Sequence, residues 1–380
     1  MLISIDGFEA SAGERVGVGR FEVELLKHIS SIDKKHTYRI YTPGTPTPDM
    51  PSVSMRWQYR MCSFNRLWSQ VALPYYLISD TPKPDVFFSP VHYAPRYCPV
   101  PLVVGVMDLS YVYFPDMFNA GDLYKLKNWT KYSVEKADAV IAISKSTGDD
   151  ILKMYDVEKN NVHVVYPGTT GFMNQDVKNR TKTVSAKYSI SRDYILYVGT
   201  LQPRKNIIRL IEAFQKIKLS NYQINNNNLQ LVIVGKKGWL YDDIFQKVKD
   251  AGLEKDVVFT GFVPDEELPL LYEHATCFCL PSLHEGFGFP VLEAMNYGCP
   301  VICSNMSSLP EVAGDAGVLV NPESVDDIAR GLLIVISLTS GQRKQMIEKG
   351  KKQAAKFTWE KAAKQTIEIL ERVGRSKQYE

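Results

Sequence analysis

YILYVGTLQPRKN, residues 194–206, runs from an apolar stretch into a turn that ends in Arg204, Lys205 and Asn206, just ahead of a helical pattern. A strand that passes through a short turn into a helix is the opening half of a β-α-β unit, and such units build parallel sheets covered on both faces. Arg204 and Lys205 stand where the carboxyl end of the strand meets a helix N-terminus, whose unbonded amides and dipole favour an anion. A phosphate is the economical ligand. Taken alone, the same pair reads equally well as two solvated surface cations.

The same alternation extends in both directions. Upstream, the runs LISID (2–6), YRIYT (38–42), VFFSP (86–90), LVVGVMD (102–108), AVIAIS (139–144) and VHVVYP (162–167) read as strands. Downstream, so do LQLVIVG (229–235), VVFTGF (257–262), CFCLPS (277–282), PVICS (300–304) and GVLV (317–320). Strands this continuously apolar are buried on both faces. Residues 171–192 are polar without a sustained period and read as a linker, so the chain is expected to hold two Rossmann-like domains, 1–170 and 193–357. The tract around Asn225–Asn228 reads as a surface loop, and FTWEKAAKQTIEILERV (357–373) as a helix, which sets 358–380 apart as a final helical segment.

Composition narrows the function classes. The 380 residues are 45% hydrophobic and 23% charged, with a net charge of +3, which is too small to make nucleic acid an obligatory partner. The N-terminus reaches Asp6 without a basic region, as a first strand does and a signal peptide does not. With no apolar run of transmembrane length, a cytoplasmic protein is expected. Cys62, Cys98, Cys277, Cys279, Cys299 and Cys303 form no C-x-x-C pair and read as buried reduced thiols.

Ligands of open α/β sheets bind outside the carboxyl ends of the strands. After CFCLPS comes HEGFGFPVLEAM (284–295), with Glu285 in a glycine-rich turn and Glu293 inside a helix whose first position is expected at Pro290. Gly286 and Gly288 let backbone amides approach a ligand. Glu293 suits a ribose diol and Glu285 the hydroxyls of a sugar. Acids that merely favour the helix dipole are the plainer reading of either residue, but they leave the glycines unexplained. A glycosidase-like carboxylate pair ranks below this, because Arg204 and Lys205 match a departing diphosphate better than a neutral leaving group.

Taken together, E-x7-E in HEGFGFPVLEAM, GTLQPRKN upstream, GFVPDEELPLLYEHA between them and NPESVDDIA downstream resemble the retaining, nucleotide-sugar-dependent glycosyltransferases of family four. The resemblance implies the GT-B fold: two Rossmann-like parallel-sheet domains facing across a cleft, an acceptor domain followed by a donor domain, with the C-terminal helix crossing back. It implies retaining transfer of a hexose from a nucleoside diphosphate sugar to a hydroxyl, with no metal and no cofactor. By the same resemblance Arg204 and Lys205 grip the diphosphate, Glu293 the ribose and Glu285 the sugar. Amides around Phe287 and Gly288 face the sugar, Gly261, Phe262, Val263 and Leu268 border the base, and Gly199 ends the strand that leads to the diphosphate site.

In the N-terminal half, SAGERVGVGRF (11–21) reads as a loop before a helix that begins near Arg20, and the resemblance brings Gly17 and Gly19 to the phosphates. Asp108 is expected as a catalytic and acceptor-side residue, with His92 of SPVHYAP beside it. Relatives often carry HDLS where this chain reads MDLS, so Met107 replaces a customary histidine. UDP-sugars such as UDP-glucose come first as donor and GDP-mannose second, with a saccharide or polyprenyl-linked saccharide as acceptor in bacterial polysaccharide synthesis. The alternatives are a nucleotide-sugar-binding protein without transfer activity and a sugar-nucleotide epimerase of the same fold. Finally, residues 54–79 carry Arg56, Arg60 and Arg66 and no acid, which fits either a helix around 65–78 packed inward or a peripheral contact with the inner face of the cell membrane.

Overall fold

The computed structural model describes the chain except residues 14, 16, 92, 170–183, 220–228 and 377–380. It divides into two compact units, one formed by residues 1–168 with 357–380 and the other by 169–356.

The first unit is built on a seven-stranded sheet, ordered β3-β2-β1-β4-β5-β6-β7. Its strands are β1 (Leu2–Asp6), β2 (Thr37–Thr42), β3 (Trp57–Met61), β4 (Val86–Ser89), β5 (Leu102–Val106), β6 (Ala139–Ala142) and β7 (Val162–Val164), and every pairing is parallel. Strands β4, β5 and β6 are buried at every position, as their unbroken apolar composition requires. The apolar runs read from the sequence are all strands. The missing one is β3, an edge strand in which only Trp57 is buried, so its exposed Gln58, Arg60 and Met61 hid it from hydrophobic pattern. The helix expected around 65–78 is present as a π-turn over Trp68–Ala72 that continues as an α-helix over Leu73–Ser79, and it buries Ala72, Leu73, Tyr76 and Leu77.

The last helix, Trp359–Ser376, belongs to this first unit. Trp359 is buried against Phe21 of the Gly17–Ile32 helix, with ring centroids 5.6 Å apart. The chain passes out at Gly168 and back at Trp359 so closely that a Cβ on Gly168 would lie 2.1 Å from the Trp359 amide nitrogen.

The second unit carries a six-stranded sheet, ordered β10-β9-β8-β11-β12-β13 and again all parallel. The strands are β8 (Asp193–Val198), β9 (Leu229–Val234), β10 (Val257–Gly261), β11 (Cys277–Leu280), β12 (Val301–Ser304) and β13 (Val318–Val320). The described part of the expected linker, residues 184–192, packs onto this unit: Val184 and Ile190 are buried and Tyr188 donates to Glu267. Asn225–Asn228 lie outside the described residues. All six cysteines are free, five of them buried and Cys98 half-buried, and burial pushes Cys277 and Cys303 up to about 12. The five buried ones are inert thiols.

In both sheets the first strand of the unit lies beside the fourth, so the connections from these two strands diverge. This is the topological switch point at which open α/β sheets hold ligands.

Candidate active site

In the second unit the switch point falls between β8 and β11, and the segments leaving those strands are 199–206 and 281–288. They are laced together: Leu283 N–H donates to Arg204 O at 3.0 Å, and the buried Asn206 side chain donates to Pro281 O at 2.9 Å and Pro322 O at 2.7 Å. Asn206 takes a left-handed conformation at the end of the 3-10 turn Pro203–Lys205, a geometry that asparagine tolerates and that turns the chain into the Ile207–Leu219 helix.

This lacing puts the predicted cations on the predicted carboxylate. Lys205 Nζ donates to Glu285 Oε1 at 2.6 Å, and Arg204 reaches Glu285 Oε2 at 3.5 Å and His284 O at 2.8 Å. Ser282 Oγ donates to the same Oε1 at 2.6 Å, and the Glu285 amide donates to Ser307 Oγ at 2.9 Å. Glu285 is 6% exposed. Burial alone pushes its carboxyl up, but the charges of Lys205 and Arg204, with the hydrogen bonds from Lys205 and Ser282, outweigh that and hold it below the ordinary glutamate value. It is an ionised carboxylate inside a cationic clamp.

The turn from Pro281 to Gly288 is buried throughout. Ser308 Oγ donates to the carbonyls of Glu285 and Phe287, both at 2.8 Å, which fixes the turn from beneath. Gly288 has φ +101°, and a Cβ there would meet Leu309 Cδ2 at 2.5 Å, so both backbone and space call for glycine. The helix behind it begins at Phe289 rather than Pro290, which places Pro290 second and Glu293 fifth. Glu293 accepts a hydrogen bond from Tyr272 at 2.9 Å. Burial, and then the nearby Glu293, keep that phenol protonated, hence a donor.

Other predicted residues lie elsewhere on the two sheets. Gly199 directly follows β8. Gly261, Phe262 and Val263 sit at the carboxyl end of the edge strand β10, with Lys236 Nζ 4.7 Å from the centre of the half-exposed Phe262 ring, and Leu268 opens the Leu268–His274 helix. Gly17 and Gly19, Asp108 and Met107 belong to the first unit. The two glycines form the first turn of the Gly17–Ile32 helix instead of a loop ending near Arg20. First-turn amides need no intrahelical acceptor, and Gly19 packs where a Cβ would come 2.9 Å from Glu9 O, so the close approach to Glu9 accounts for glycine at position 19. Asp108 accepts a hydrogen bond from the Ser110 amide, and Met107 is buried. His92 lies outside the described residues.

Sequence reasoning missed Ser282, Ser307, Ser308, Tyr272 and Lys236. Only Ser282 left a signal, the S-x-x-E spacing to Glu285. The rest come from distant segments that the fold alone brings in.

Two family models match this chain, Glycosyltransferase Family 4 over residues 16–170 and Glycosyl transferases group 1 over residues 181–353, the second taking in the whole Arg204–Glu285–Glu293 constellation. The chain belongs to the family-four glycosyltransferases. The glycosyltransferase is 28% identical over 366 residues to the O-antigen chain mannosyltransferase B of Escherichia coli, a match that covers 92% of this chain and 94% of the relative. It is 32% identical over 247 residues to the serotype-specific mannosyltransferase WbdA of the same organism, where the match spans 30% of that longer protein. Among solved structures, sucrose-phosphate synthase from Thermosynechococcus elongatus superposes with a TM-score of 0.76 at 17% identity, covering 98% of each chain, which is a likeness of fold. The glycosyltransferase has the GT-B type of fold, with two parallel-sheet Rossmann-like domains.

Proposed function

We propose that this glycosyltransferase moves a mannosyl residue from a nucleoside diphosphate mannose to a saccharide or polyprenyl-linked saccharide in polysaccharide synthesis. The observation that carries the reading is the buried cationic clamp of Arg204 and Lys205 on Glu285, set at the switch point of the second sheet. Two cations held together in a site of low water access suit a diphosphate that gains charge as it leaves. The E. coli mannosyltransferase matched from end to end moves GDP-mannose ahead of UDP-glucose, reversing the order given by sequence alone.

In this reading Arg204 and Lys205 hold the diphosphate, and Gly199, Gly17 and Gly19 are assigned to the donor as well. Glu285 and the amides of Gly286, Phe287 and Gly288 hold the sugar, and Glu293 the ribose. Gly261, Phe262, Val263 and Leu268 border the base, while Asp108 and His92 serve the acceptor. Transfer proceeds with retention and without a metal: the acceptor oxygen bonds to the anomeric carbon on the face from which the diphosphate departs, and the acceptor proton passes to a phosphate oxygen. Trapping a covalent glycosyl-enzyme, or losing activity in a chelator, would refute this.

A thermal-shift panel of GDP, UDP, ADP and their sugar conjugates tests the donor. A ligand at a hundred times its Kd stabilises by about 2.7 kcal/mol. The expected result is a shift with GDP and GDP-mannose that disappears in Arg204→Ala. A shift with uridine ligands alone returns the donor to UDP-glucose. No shift with any nucleotide dismantles the donor-site assignment.

A further inference from the structure

Two adjacent serines on the segment leaving β12 hold the backbone of Glu285 from both sides. Ser308 is fully buried and donates to the carbonyls of Glu285 and Phe287 from beneath the turn. Ser307 takes the other end, where its Oγ accepts the Glu285 N–H at 2.9 Å. It is only half-buried, and it follows two exposed residues, Asn305 and Met306, beyond the carboxyl end of the strand. Open α/β sheets hold their ligands on that edge.

Ser307 has φ +51°, a left-handed conformation that serine seldom adopts and that costs the folded state. The surrounding frame enforces it. The Asn305 amide donates to Val320 O at 2.8 Å, the Met306 amide to Ser304 Oγ at 3.0 Å, and the Val312 amide to Ser308 O at 3.1 Å, so the chain is fixed on both sides of position 307. Glycine would take this conformation without strain. What serine adds there is a hydroxyl, which carries one proton to donate and two sites to accept. The Glu285 amide uses one accepting site, and the Ser307 O–H has no acceptor among the described residues. A strained position thus presents a proton donor beside the turn 285–288, whose amides are assigned to the sugar.

We infer that Ser307 binds a hydroxyl of the transferred hexose and takes part in selecting that sugar. This rests on the donor site proposed for the second unit. There the Ser307 O–H donates to one sugar hydroxyl, while the ionised Glu285 carboxylate, which can only accept, takes the proton of another. The two residues read the sugar with opposite polarity. Their positions are coupled, because the Ser307 oxygen is bonded to the amide of Glu285 itself. A hexose with the contacted hydroxyl inverted or missing leaves Ser307 unmatched and binds less well.

Equilibrium binding of GDP, GDP-mannose and the monodeoxymannose conjugates of GDP to the whole protein tests this. In Ser307→Ala, GDP-mannose is expected to bind about fivefold more weakly, the worth of one neutral hydrogen bond, and GDP to bind as in the parent. One deoxy conjugate already lacks the contacted hydroxyl, so the parent binds it about fivefold more weakly than GDP-mannose and the substitution weakens it no further. A serine that merely supports the turn gives no such pairing with a single sugar hydroxyl. Retained GDP binding separates a lost contact from lost folding. The strain has its own readout: Ser307→Gly should melt above Ser307→Ala, the reverse of the usual order of these residues. If the parent takes uridine ligands instead, UDP, UDP-glucose and its deoxy analogues fill the same places, so an error in the base is told apart from an error in Ser307. Equal weakening of GDP and GDP-mannose, equal weakening of every deoxy conjugate, no weakening at all, or an alanine variant that melts above the glycine one overturns the role of Ser307. A parent that binds no nucleotide overturns the donor site with it.

Discussion

The two sheets share a strand arrangement around their switch points, but they treat the buried carboxylates there in opposite ways. In the second unit Glu285 is buried with Lys205 and Arg204, and its charge is stabilised. In the first, Asp6 at the end of β1 and Glu22 of the following helix are buried with no such clamp. The nearby Arg15 guanidinium is spent on Ala10 O and on Thr47 and Asp49. Asp6 therefore rises to about 7, through burial above all, against hydrogen bonds from Trp68 and the Phe8 amide. Burial and then the neighbouring Asp6 push Glu22 well above the carboxylate range, and its Oε1 has no hydrogen-bond partner among the described residues. Burial is common to both places; what decides ionisation is whether cations are buried alongside.

The largest effect is expected where the clamp is cut. Lys205→Ala should lower transfer roughly 10²–10³-fold, as removal of a transition-state charge donor does. It should also destabilise the protein by about 3–5 kcal/mol by stranding a buried charge. Adding Glu285→Gln should restore much of the melting temperature but none of the activity. If the double variant melts no higher than the single, the clamp is not what balances Glu285.

The contrast is sharper along the pH axis. Asp6 titrates near 3.8 when unfolded and about 7 when folded, so between these values the native state holds a proton that the unfolded chain has released. Its contribution is fully present below the unfolded value and is lost as pH rises through the folded one. Glu285 has the opposite sign: its contribution is present above the unfolded glutamate value and is lost on acidification. Melting curves should show Asp6→Asn gaining on the parent from about pH 4 to about pH 7 and levelling off above, and parallel curves would end the comparison.

The smallest expected effect belongs to Tyr272→Phe, which removes the hydrogen bond to Glu293 at a cost of about 1 kcal/mol. Steady-state kinetics should show a donor KM about fivefold higher with kcat unchanged. An equal fall in kcat would move Glu293 from ribose binding to the reacting centre.

Sequence made the central strands legible because strands covered on both faces need nearly unbroken apolar runs, and such runs stand out. It hid β3, which lies at an edge and alternates with charge. It also pointed to Arg204, Lys205, Glu285 and Glu293, whose charges and glycine neighbours call for explanation. Ser307, Ser308 and Tyr272 could not be read this way, since a serine or tyrosine becomes a support only when the sheet brings its segment alongside. Asp6 and Glu22 were invisible for a related reason: nothing in their neighbours announces a carboxylate without a counterion.

The side-by-side passage of the chain at Gly168 and Trp359 has a consequence for synthesis. The second unit is one continuous stretch of chain, whereas the first is made of two stretches, one synthesised before the second unit and one after it. The first unit emerges earlier but cannot close, because Phe21 meets Trp359 only when residues 359–376 arrive. The half of the protein made first is thus completed last, and until then the apolar flank of its Gly17–Ile32 helix stays uncovered.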